Sequence, residues 1–537
     1  MGALSLPRRQ RVHAKVAGAI EETFPKDLQA RASDLAHHFY RAGSAADLEK
    51  TVSYLMLAGD NAFAAGAADE AIDAFDRALS LDDNNELKYE GRLLYSRGLA
   101  RRATGQWDLA AADWEEALLF FEKEGDGETV GHICWWLAFQ QVFDNRTEEG
   151  LATVERGLRA VDDVSPARSR LDGVASHAHA LGGNFEEGLE RSDRALSTAE
   201  ELGDERLLGS EVLFGRAYLF WTHLIAGRME EAGDRAIELT KRCGSPWAQS
   251  NIQSITQLAW LLTGRLGKLQ SELPKIEALT ARQGDLSGQS CVMFSQCVLA
   301  LARGELQEAQ EAASKMITFC REAGFPWISF VYSWRGMTHF WRGAWDEAMS
   351  DFGEAVPMEP GGAYAGWDQG HRFLGRAYIE HRIEDSDFEK LKQILPQRGR
   401  PSGAGSWIAL LTMVEGLAVL GRRGEAARLY PLVTQKLEDG TVLCLVQGLV
   451  DKAAGIAAAA GEEWTLAEAH FEKALRLAEE LPHRLEQPEV RRWYARMLLD
   501  RDGSGDDEKA RRMLLEAKAS YEELGMPKHA EMATSRN

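Results

Sequence analysis

Apolar positions recur along the chain with the spacing of amphipathic helices. In each clear copy a glycine is followed by alanine five residues later, a large apolar residue four further on, and then alanine and leucine or valine. The clearest copies are Gly66, Ala71, Phe75, Ala78 and Leu79; Gly105, Ala110, Trp114, Ala117 and Leu118; and Gly343, Ala348, Phe352, Ala355 and Val356. The spacing places the apolar residues on one helical face. Each glycine is predicted to end the preceding helix.

The motif repeats about every 40 residues, with turns predicted at residues 66, 105, 145, 183, 227, 264, 304 and 343. A second series agrees: Trp247, Trp327, Trp367 and Trp407 share this period, and two of them end the similar segments Gly244-Ser245-Pro246-Trp247 and Gly324-Phe325-Pro326-Trp327. A two-helix hairpin cannot bury such a face alone, so neighbouring hairpins must stack. The predicted fold is all-α, a right-handed α-solenoid or superhelix of antiparallel helical hairpins.

The amino-acid composition and net charge limit the classes of function that fit this sequence. The 537 residues carry a formal charge of −21, which opposes non-specific binding to nucleic acid. No apolar stretch reaches the roughly 20 residues needed to span a bilayer, and the first residues do not form a signal peptide. The six cysteines have no zinc-ligand spacing and suit a reducing compartment. These features predict a cytoplasmic protein without nucleic-acid or membrane partners.

The pattern resembles the tetratricopeptide repeat over roughly residues 46–537. Leu94, Gly98 and Trp107 stand at family spacing around the second clear copy, as do Tyr332, Gly336 and Trp345 around the third. The usual period of that family is 34 residues, so this chain resembles a long variant of about 40 residues. Such arrays occur in bacterial signalling proteins, and the resemblance implies binding of a protein or peptide partner.

Both ends resemble STAND-type signalling ATPases, including cyclase-linked and LuxR-type regulators. The stretch from residues 6–9 through residues 35–39 is similar to helices that join the ATPase module to its repeats, and 521–526 is similar to a final repeat. The resemblance implies a C-terminal sensor region whose catalytic part is absent. From the same patterns we predict a helical adaptor at 1–45, repeats at 46–356, a degenerate or loop-rich interruption at 357–405, and repeats with a C-terminal cap at 406–537.

No catalytic, cofactor or metal site is predicted. The segment from Gly264 to Lys268 lacks the first glycine of a Walker A loop, and neither a GxSxG elbow nor an HExxH motif occurs. His37 and His38 are adjacent, so a helix would direct their rings apart, and a structural role is the preferred interpretation.

One candidate binding surface stands out by its lack of charge. Residues 246–264, 286–302 and 325–334 contain no charged side chain and form the first helices of three consecutive hairpins. In the family these helices line the concave surface. The predicted ligand or peptide groove consists of Gln253, Gln257, Gln296, Tyr332, Trp334 and His339. Amides and aromatic rings without charge suit a neutral ligand or an extended peptide. The alternative is that these helices are simply the better-buried layer.

The sequence therefore predicts a non-catalytic scaffold or sensor module that mediates protein–protein interaction in signalling. A domain that senses a small neutral metabolite, within a STAND-type ATPase, cyclase or transcriptional regulator, is the alternative. An enzyme is the third hypothesis, and no combination of nucleophile, base and orienting group supports it.

Overall fold

The structure is a computed structural model that describes residues 5–81, 89–243, 246–481 and 483–534. Within these ranges it contains helices and one isolated bridge, between Leu443 and Leu449, but no strand. Gly244 and Ser245, which begin the first proline–tryptophan segment, lie outside the described residues. The all-α fold built of helical hairpins is confirmed.

The helices alternate with short turns along the described parts of the chain. The first fifteen are α1 (Leu6–Thr23), α2 (Ala32–Ala42), α3 (Leu48–Ala64), α4 (Ala68–Leu79), α5 (Glu90–Ala103), α6 (Trp107–Glu124), α7 (Gly127–Phe143), α8 (Thr147–Leu158), α9 (Pro166–Leu181), α10 (Phe185–Leu202), α11 (Glu205–Leu207), α12 (Leu213–Trp221), α13 (Ala226–Cys243), α14 (Pro246–Leu262) and α15 (Leu266–Arg282). The others are α16 (Leu286–Arg303), α17 (Leu306–Glu322), α18 (Ile328–Trp341), α19 (Trp345–Ala355), α20 (Trp367–Ile379), α21 (Asp385–Ile394), α22 (Ala404–Val419), α23 (Arg423–Arg428), α24 (Tyr430–Glu438), α25 (Val450–Ala460), α26 (Trp464–Glu480), α27 (Glu486–Arg501), α28 (Asp506–Glu523) and α29 (Pro527–Met532). A π-helical stretch at Leu208–Val212 precedes α12, and 3-10 turns occupy Gly43–Ala45, Val356–Met358, Gly362–Tyr364 and Leu445–Gln447.

Contacts divide the chain into two units. The first comprises residues 1–140 and 152–171, and the second comprises 141–151 and 172–537. The sequence-based boundaries at 45, 356 and 405 stay predictions. None of the described helices is both long enough and apolar enough to cross a membrane.

The predicted turns are formed by residues in the left-handed conformation. They are Gly66, Gly105, Asn145, Gly183, Gly264, Gly304 and Gly343. At each of these seven turns the N–H of the next residue donates to a carbonyl five residues back, as Ala67 does to Ala62 at 2.9 Å, which ends the helix. The turn predicted at residue 227 differs: Leu224 takes the left-handed conformation, and Gly227 lies in the first turn of α13.

Within a hairpin, an aromatic ring of the second helix lies against a glycine of the first. The pairs are Phe75 with Gly59, Trp114 with Gly98, Phe352 with Gly336, and Phe471 with Gly455. All four rings are fully buried, and the conserved spacing of the motif places alanines such as Ala348 and Ala355 beside them, also fully buried. The missing Cβ lets the helices approach closely enough to enclose the ring, which is the packing that the repeat motif encodes.

The second unit folds back on itself through a series of contacts that we call the fold-back contacts. Each joins the end of a hairpin's first helix, or the turn after it, to a segment about 180 residues later, or about four and a half repeats. The pairs are Leu181 with Gly362, Thr222 with Ala404, Leu262 with Val442, Ala302 with Arg484, and Gly343 with Pro527. Three are backbone hydrogen bonds: Ala404 N to Thr222 O (2.8 Å), Val442 N to Leu262 O (2.8 Å) and Arg484 N to Ala302 O (2.7 Å). They satisfy carbonyls that the helix ends leave without an intrahelical partner.

Buried charges join the last hairpins of the same unit. Lys452 is 1% exposed and donates to Glu486 at 2.8 Å, and Arg492 donates to Glu489 at 2.8 Å and to the Tyr378 hydroxyl at 2.9 Å. Because each buried charge has an opposite charge beside it, the cluster fixes the register of α20, α25 and α27 against one another.

Replacing Gly336 tests the ring-on-glycine packing. A Cβ there would lie 2.6 Å from Cε1 of the buried Phe352 ring, so Gly336→Ala should lower the free energy of unfolding by about 1–3 kcal/mol. Gly353→Ala is the matched control, because a Cβ at that helical position meets nothing within 4 Å. That variant should be neutral or stabilised by up to about 1 kcal/mol. Urea unfolding measures both, and equal effects would contradict the packing described.

Candidate functional site

The second unit contains a cavity of about 100 Å³ that we call the aromatic cavity. Its walls are the end of α7, helices α9, α12, α14, α16, α17 and α18, and the segment between α19 and α20. The lining residues are Val142, Phe143, Asn145, His177, Leu181, Tyr218, Trp221, Ile255, Leu258, Ser287, Ser290, Cys291, Phe294, Met316, Pro326, Trp327, Phe330, Trp334, Pro360 and Tyr364. None is Asp, Glu, Lys or Arg. The volume exceeds what one water needs and suits a group the size of an aromatic or branched side chain.

Ring contacts fix the shape of the aromatic cavity. Trp334 stacks on Phe294 with ring centroids 3.8 Å apart, and Phe330 meets Tyr364 edge-on at 5.1 Å. On the other wall, His177 lies 4.7 Å from the Tyr218 ring, measured between centroids. Rings held on both sides lose little conformational entropy when a ligand binds, so the walls are largely pre-formed.

Burial keeps the titratable groups of the aromatic cavity neutral near pH 7. It lowers the pKa of His177 to about 3 and raises the pKa of Cys291 to about 12. It also raises the pKa values of the Tyr218 and Tyr364 hydroxyls above their usual range. A charged ligand would lose its hydration here without gaining an opposite charge, so the lining selects a neutral group.

A few polar atoms interrupt the apolar lining. Ser290 Oγ donates to the Ser287 carbonyl at 2.7 Å. Trp334 is 5% exposed, and its buried indole Nε1 has no hydrogen-bond partner among the described residues. An indole N–H is a donor only. A ligand with a neutral acceptor atom could therefore satisfy a donor that the protein leaves unpaired.

The segment between α19 and α20 closes one side of the aromatic cavity, and Glu359 holds it in place. The Glu359 carboxylate accepts hydrogen bonds from the backbone N–H groups of Gly366 (2.9 Å), Asp368 (2.7 Å) and Gln369 (3.0 Å) at the start of α20. Gly362 packs against the Leu181 carbonyl so tightly that a Cβ would lie 2.0 Å from that oxygen, and its φ is +61°. Both the space and the left-handed conformation require glycine.

The six residues of the predicted groove have several different surroundings in the structure. Trp334 lines the aromatic cavity. Gln253 is half-buried in α14, and Gln257 is fully buried there with neither amide atom hydrogen-bonded among the described residues. Gln296 faces a separate groove of α15, α16 and α17. The Tyr332 hydroxyl accepts from Arg321 at 2.7 Å, and His339 Nε2 lies 3.7 Å from Asp351 Oδ2. The groove stays a prediction.

The three uncharged helices supply eight of the twenty residues that line the aromatic cavity, and Trp334 is the one predicted groove residue among them. Helix α14 contributes Ile255 and Leu258, and α18 contributes Phe330. Helix α16 contributes Ser287, Ser290, Cys291 and Phe294. The lack of charge is the signal that identified these helices. Phe143, His177, Tyr218 and Tyr364 come from elsewhere in the chain, and the repeat pattern contains no signal for them.

A second chemically distinct cluster lies in the first unit. His13 of α1 and His37 and His38 of α2 have ring nitrogens that all lie within 4.8 Å of one another. Among the described residues, it is the one group of three His, Cys, Asp or Glu side chains placed closely enough to hold a metal ion. The sequence interpretation considered His37 and His38 as an isolated pair, because His13 belongs to a different helix.

Comparison with solved structures finds similarity at low sequence identity. No protein-family model and no curated protein matches the sequence. The crystal structure of the APC/C hetero-tetramer Cut9-Hcn1 is 14% identical, covers 98% of this chain and 94% of its own, and has a TM-score of 0.47. The crystal structure of a Rap protein complexed with competence and sporulation factor is 11% identical, covers 81% of this chain and 99% of its own, and has a TM-score of 0.40. Neither similarity assigns a function to this chain.

The carboxyl group of Asp368 lies beside the aromatic cavity. From it we predict that the free energy of unfolding depends on pH. Burial raises the pKa of this carboxyl to about 7, although Ser333 Oγ donates to it at 2.6 Å. The folded chain therefore binds this proton more tightly than the unfolded chain, and its contribution to the free energy of unfolding falls as pH rises from about 4 to 7.

Asp368→Asn should remove this fall, so the variant should gain stability relative to wild type by a few kcal/mol between about pH 4 and pH 8. Urea unfolding across this range provides the measurement. Asp163→Asn is the control, since the Asp163 side chain is 95% exposed. A difference between wild type and Asp368→Asn that does not change with pH would contradict the assigned pKa.

Proposed function

We propose that this chain is a non-catalytic binding module whose aromatic cavity receives a neutral, apolar, ring-bearing or branched side chain from a partner protein. The proposal rests on one observation. The lining of a single pre-formed cavity contains nine side chains with aromatic rings and no charged residue. Stacked helical hairpins provide the rigid support that such a cavity needs.

The expected binding free energies favour a peptide over an isolated small group as the ligand of the aromatic cavity. Burying one Phe or Leu side chain contributes about 1.5–3 kcal/mol, and ring contacts add about 0.5–1.5 kcal/mol. That total corresponds to millimolar binding or weaker once the loss of translational freedom is included. A partner segment that continues beyond the aromatic cavity would add main-chain and side-chain contacts. We therefore infer that the cavity serves as an anchor pocket within a longer peptide-binding surface.

The second candidate is a sensor of a small neutral aromatic metabolite. The unpaired Trp334 Nε1 and the hydroxyl groups of Tyr218 and Ser287 in the lining favour it, because a few placed polar groups among apolar walls are typical of small-molecule sites. Such a ligand would present a neutral acceptor to Trp334.

The wider setting is proposed from the sequence. The similarity of residues 6–39 and 521–526 to STAND-type signalling proteins supports a cytoplasmic regulatory role in bacterial signal transduction, in which this chain supplies the sensor region. The charge of −21 favours a protein partner over nucleic acid. No cofactor is required for this role.

Filling the aromatic cavity tests the proposal. Cys291→Phe adds a ring inside the cavity, whereas Cys243→Phe makes the same change at an exposed position on α13. Peptides selected on the wild-type chain from a phage-displayed random library should carry an aromatic or aliphatic anchor. Their affinity for Cys291→Phe should fall at least about tenfold and stay unchanged for Cys243→Phe. Thermal unfolding checks that both variants fold, and Cys291→Leu replaces Cys291→Phe if the latter does not.

Indole and p-cresol distinguish the two candidates. If these compounds raise the unfolding temperature of wild type and Cys243→Phe, but not of Cys291→Phe, and no peptide is recovered, the metabolite sensor is favoured. Peptides that bind Cys291→Phe as tightly as wild type would show that the aromatic cavity is not the anchor site.

A further inference from the structure

Three histidines converge between the first two helices of the chain. His13 Nδ1 and His38 Nδ1 lie 2.9 Å apart, and the ring centroids are separated by 5.1 Å for His13–His38, 5.2 Å for His37–His38 and 6.0 Å for His13–His37. We propose that these three imidazoles form a zinc site that attaches α1 to α2.

The separations of the ring centroids are close to those required by a tetrahedral ion, and the two Nδ1 atoms of His13 and His38, now at hydrogen-bond distance, would have to separate from 2.9 Å to about 3.3 Å to bind it. With Zn–N bonds of about 2.0–2.1 Å, each ring centroid lies about 3.2 Å from the ion, and two centroids at the tetrahedral angle lie about 5.2 Å apart. Two of the three observed separations agree within 0.1 Å, and the third requires His13 and His37 to approach by less than 1 Å. His37 is exposed, so rotation of its side chain is unhindered.

Zinc binds neutral imidazole, and the surroundings favour the neutral form. Partial burial lowers the pKa values of His13 and His38, and the neighbouring histidines lower them further. Arg9 and Arg41 also contribute positive charge, which reduces the affinity for a cation, while Asp34 contributes a negative charge beside His38. Imidazole nitrogens exclude Ca²⁺ and Mg²⁺ and suit Zn²⁺, Cu²⁺ and Ni²⁺.

Three protein ligands leave the fourth tetrahedral position for water. The exposure of His37 gives an ion and a water molecule direct access from solvent. Such a site resembles catalytic zinc centres in ligand number, but because its three ligands come from two neighbouring helices, α1 and α2, we propose a structural role.

The position of the cluster explains what an ion would do. Ala17 is the one buried residue of α1 among those described, and the N-terminal half of the helix, from Leu6 to Val16, contributes none. The C-terminal half is attached by Glu21, which accepts from Lys50 and from the Tyr54 hydroxyl. His13 lies in the poorly buried half. A zinc ion there would fix the part of α1 that packing leaves weakly attached.

Zinc titration of the untagged full chain tests the proposal. Wild type should bind one Zn²⁺ with micromolar or tighter affinity, and one Co²⁺ with the visible absorption of a tetrahedral site. His13→Gln and His38→Gln should each weaken Zn²⁺ binding at least about a hundredfold. His381→Gln, which alters an exposed histidine outside the cluster, should bind like wild type.

Limited trypsin digestion gives a second readout that reports on α1. Zn²⁺ should slow cleavage at Arg8, Arg9, Arg11 and Lys15 in wild type and His381→Gln, but not in His13→Gln, because only an intact site attaches this half of α1 to α2. No Zn²⁺ bound at about 100 μM, or binding that His13→Gln leaves unchanged, would overturn the proposal.

Discussion

The fold-back contacts are the constraint on which the second unit depends. Stacked hairpins alone would leave their first helices as an open, uncharged wall. In this chain the turns that end those helices accept hydrogen bonds or packing from segments about 180 residues later. The first of these contacts, between Leu181 and Gly362, places Pro360 and Tyr364 beside the uncharged first helices, where they line the aromatic cavity. The aromatic cavity therefore exists because the chain returns to its own earlier turns.

This arrangement explains why uncharged and apolar side chains are tolerated where a solvent-exposed concave surface would normally carry charge. Helices α14, α16 and α18 lie between their own second helices and the returning segment, so charged groups there would be buried without partners. Where charges do enter the interior, as at Lys452 and Arg492, each is placed beside carboxylates. The lining of the aromatic cavity contains no such compensation, which is the physical reason for proposing a neutral ligand.

Local features were predictable from the sequence, and non-local ones were not. The Gly–Ala–aromatic–Ala motif predicts the turn at Gly343 and the burial of Phe352, because both follow from spacing within one hairpin. The uncharged stretches identify three of the helices that surround the aromatic cavity. The partners of Leu181 or Leu262 could not be predicted, since they depend on small rotations between hairpins that accumulate over four repeats. The meeting of His13 with His37 and His38 depends likewise on how α1 crosses α2.

Amide hydrogen exchange at the fold-back contacts tests the central claim most directly. The N–H groups of Ala404, Val442 and Arg484 lie at the ends of helices or in turns, where solvent would exchange them quickly if the segments were not paired with Thr222, Leu262 and Ala302. The account predicts protection comparable to that of the surrounding helices. Exchange as fast as that of the exposed residues Gln397 and Arg398 would show that the chain does not close on itself and that the aromatic cavity is not formed.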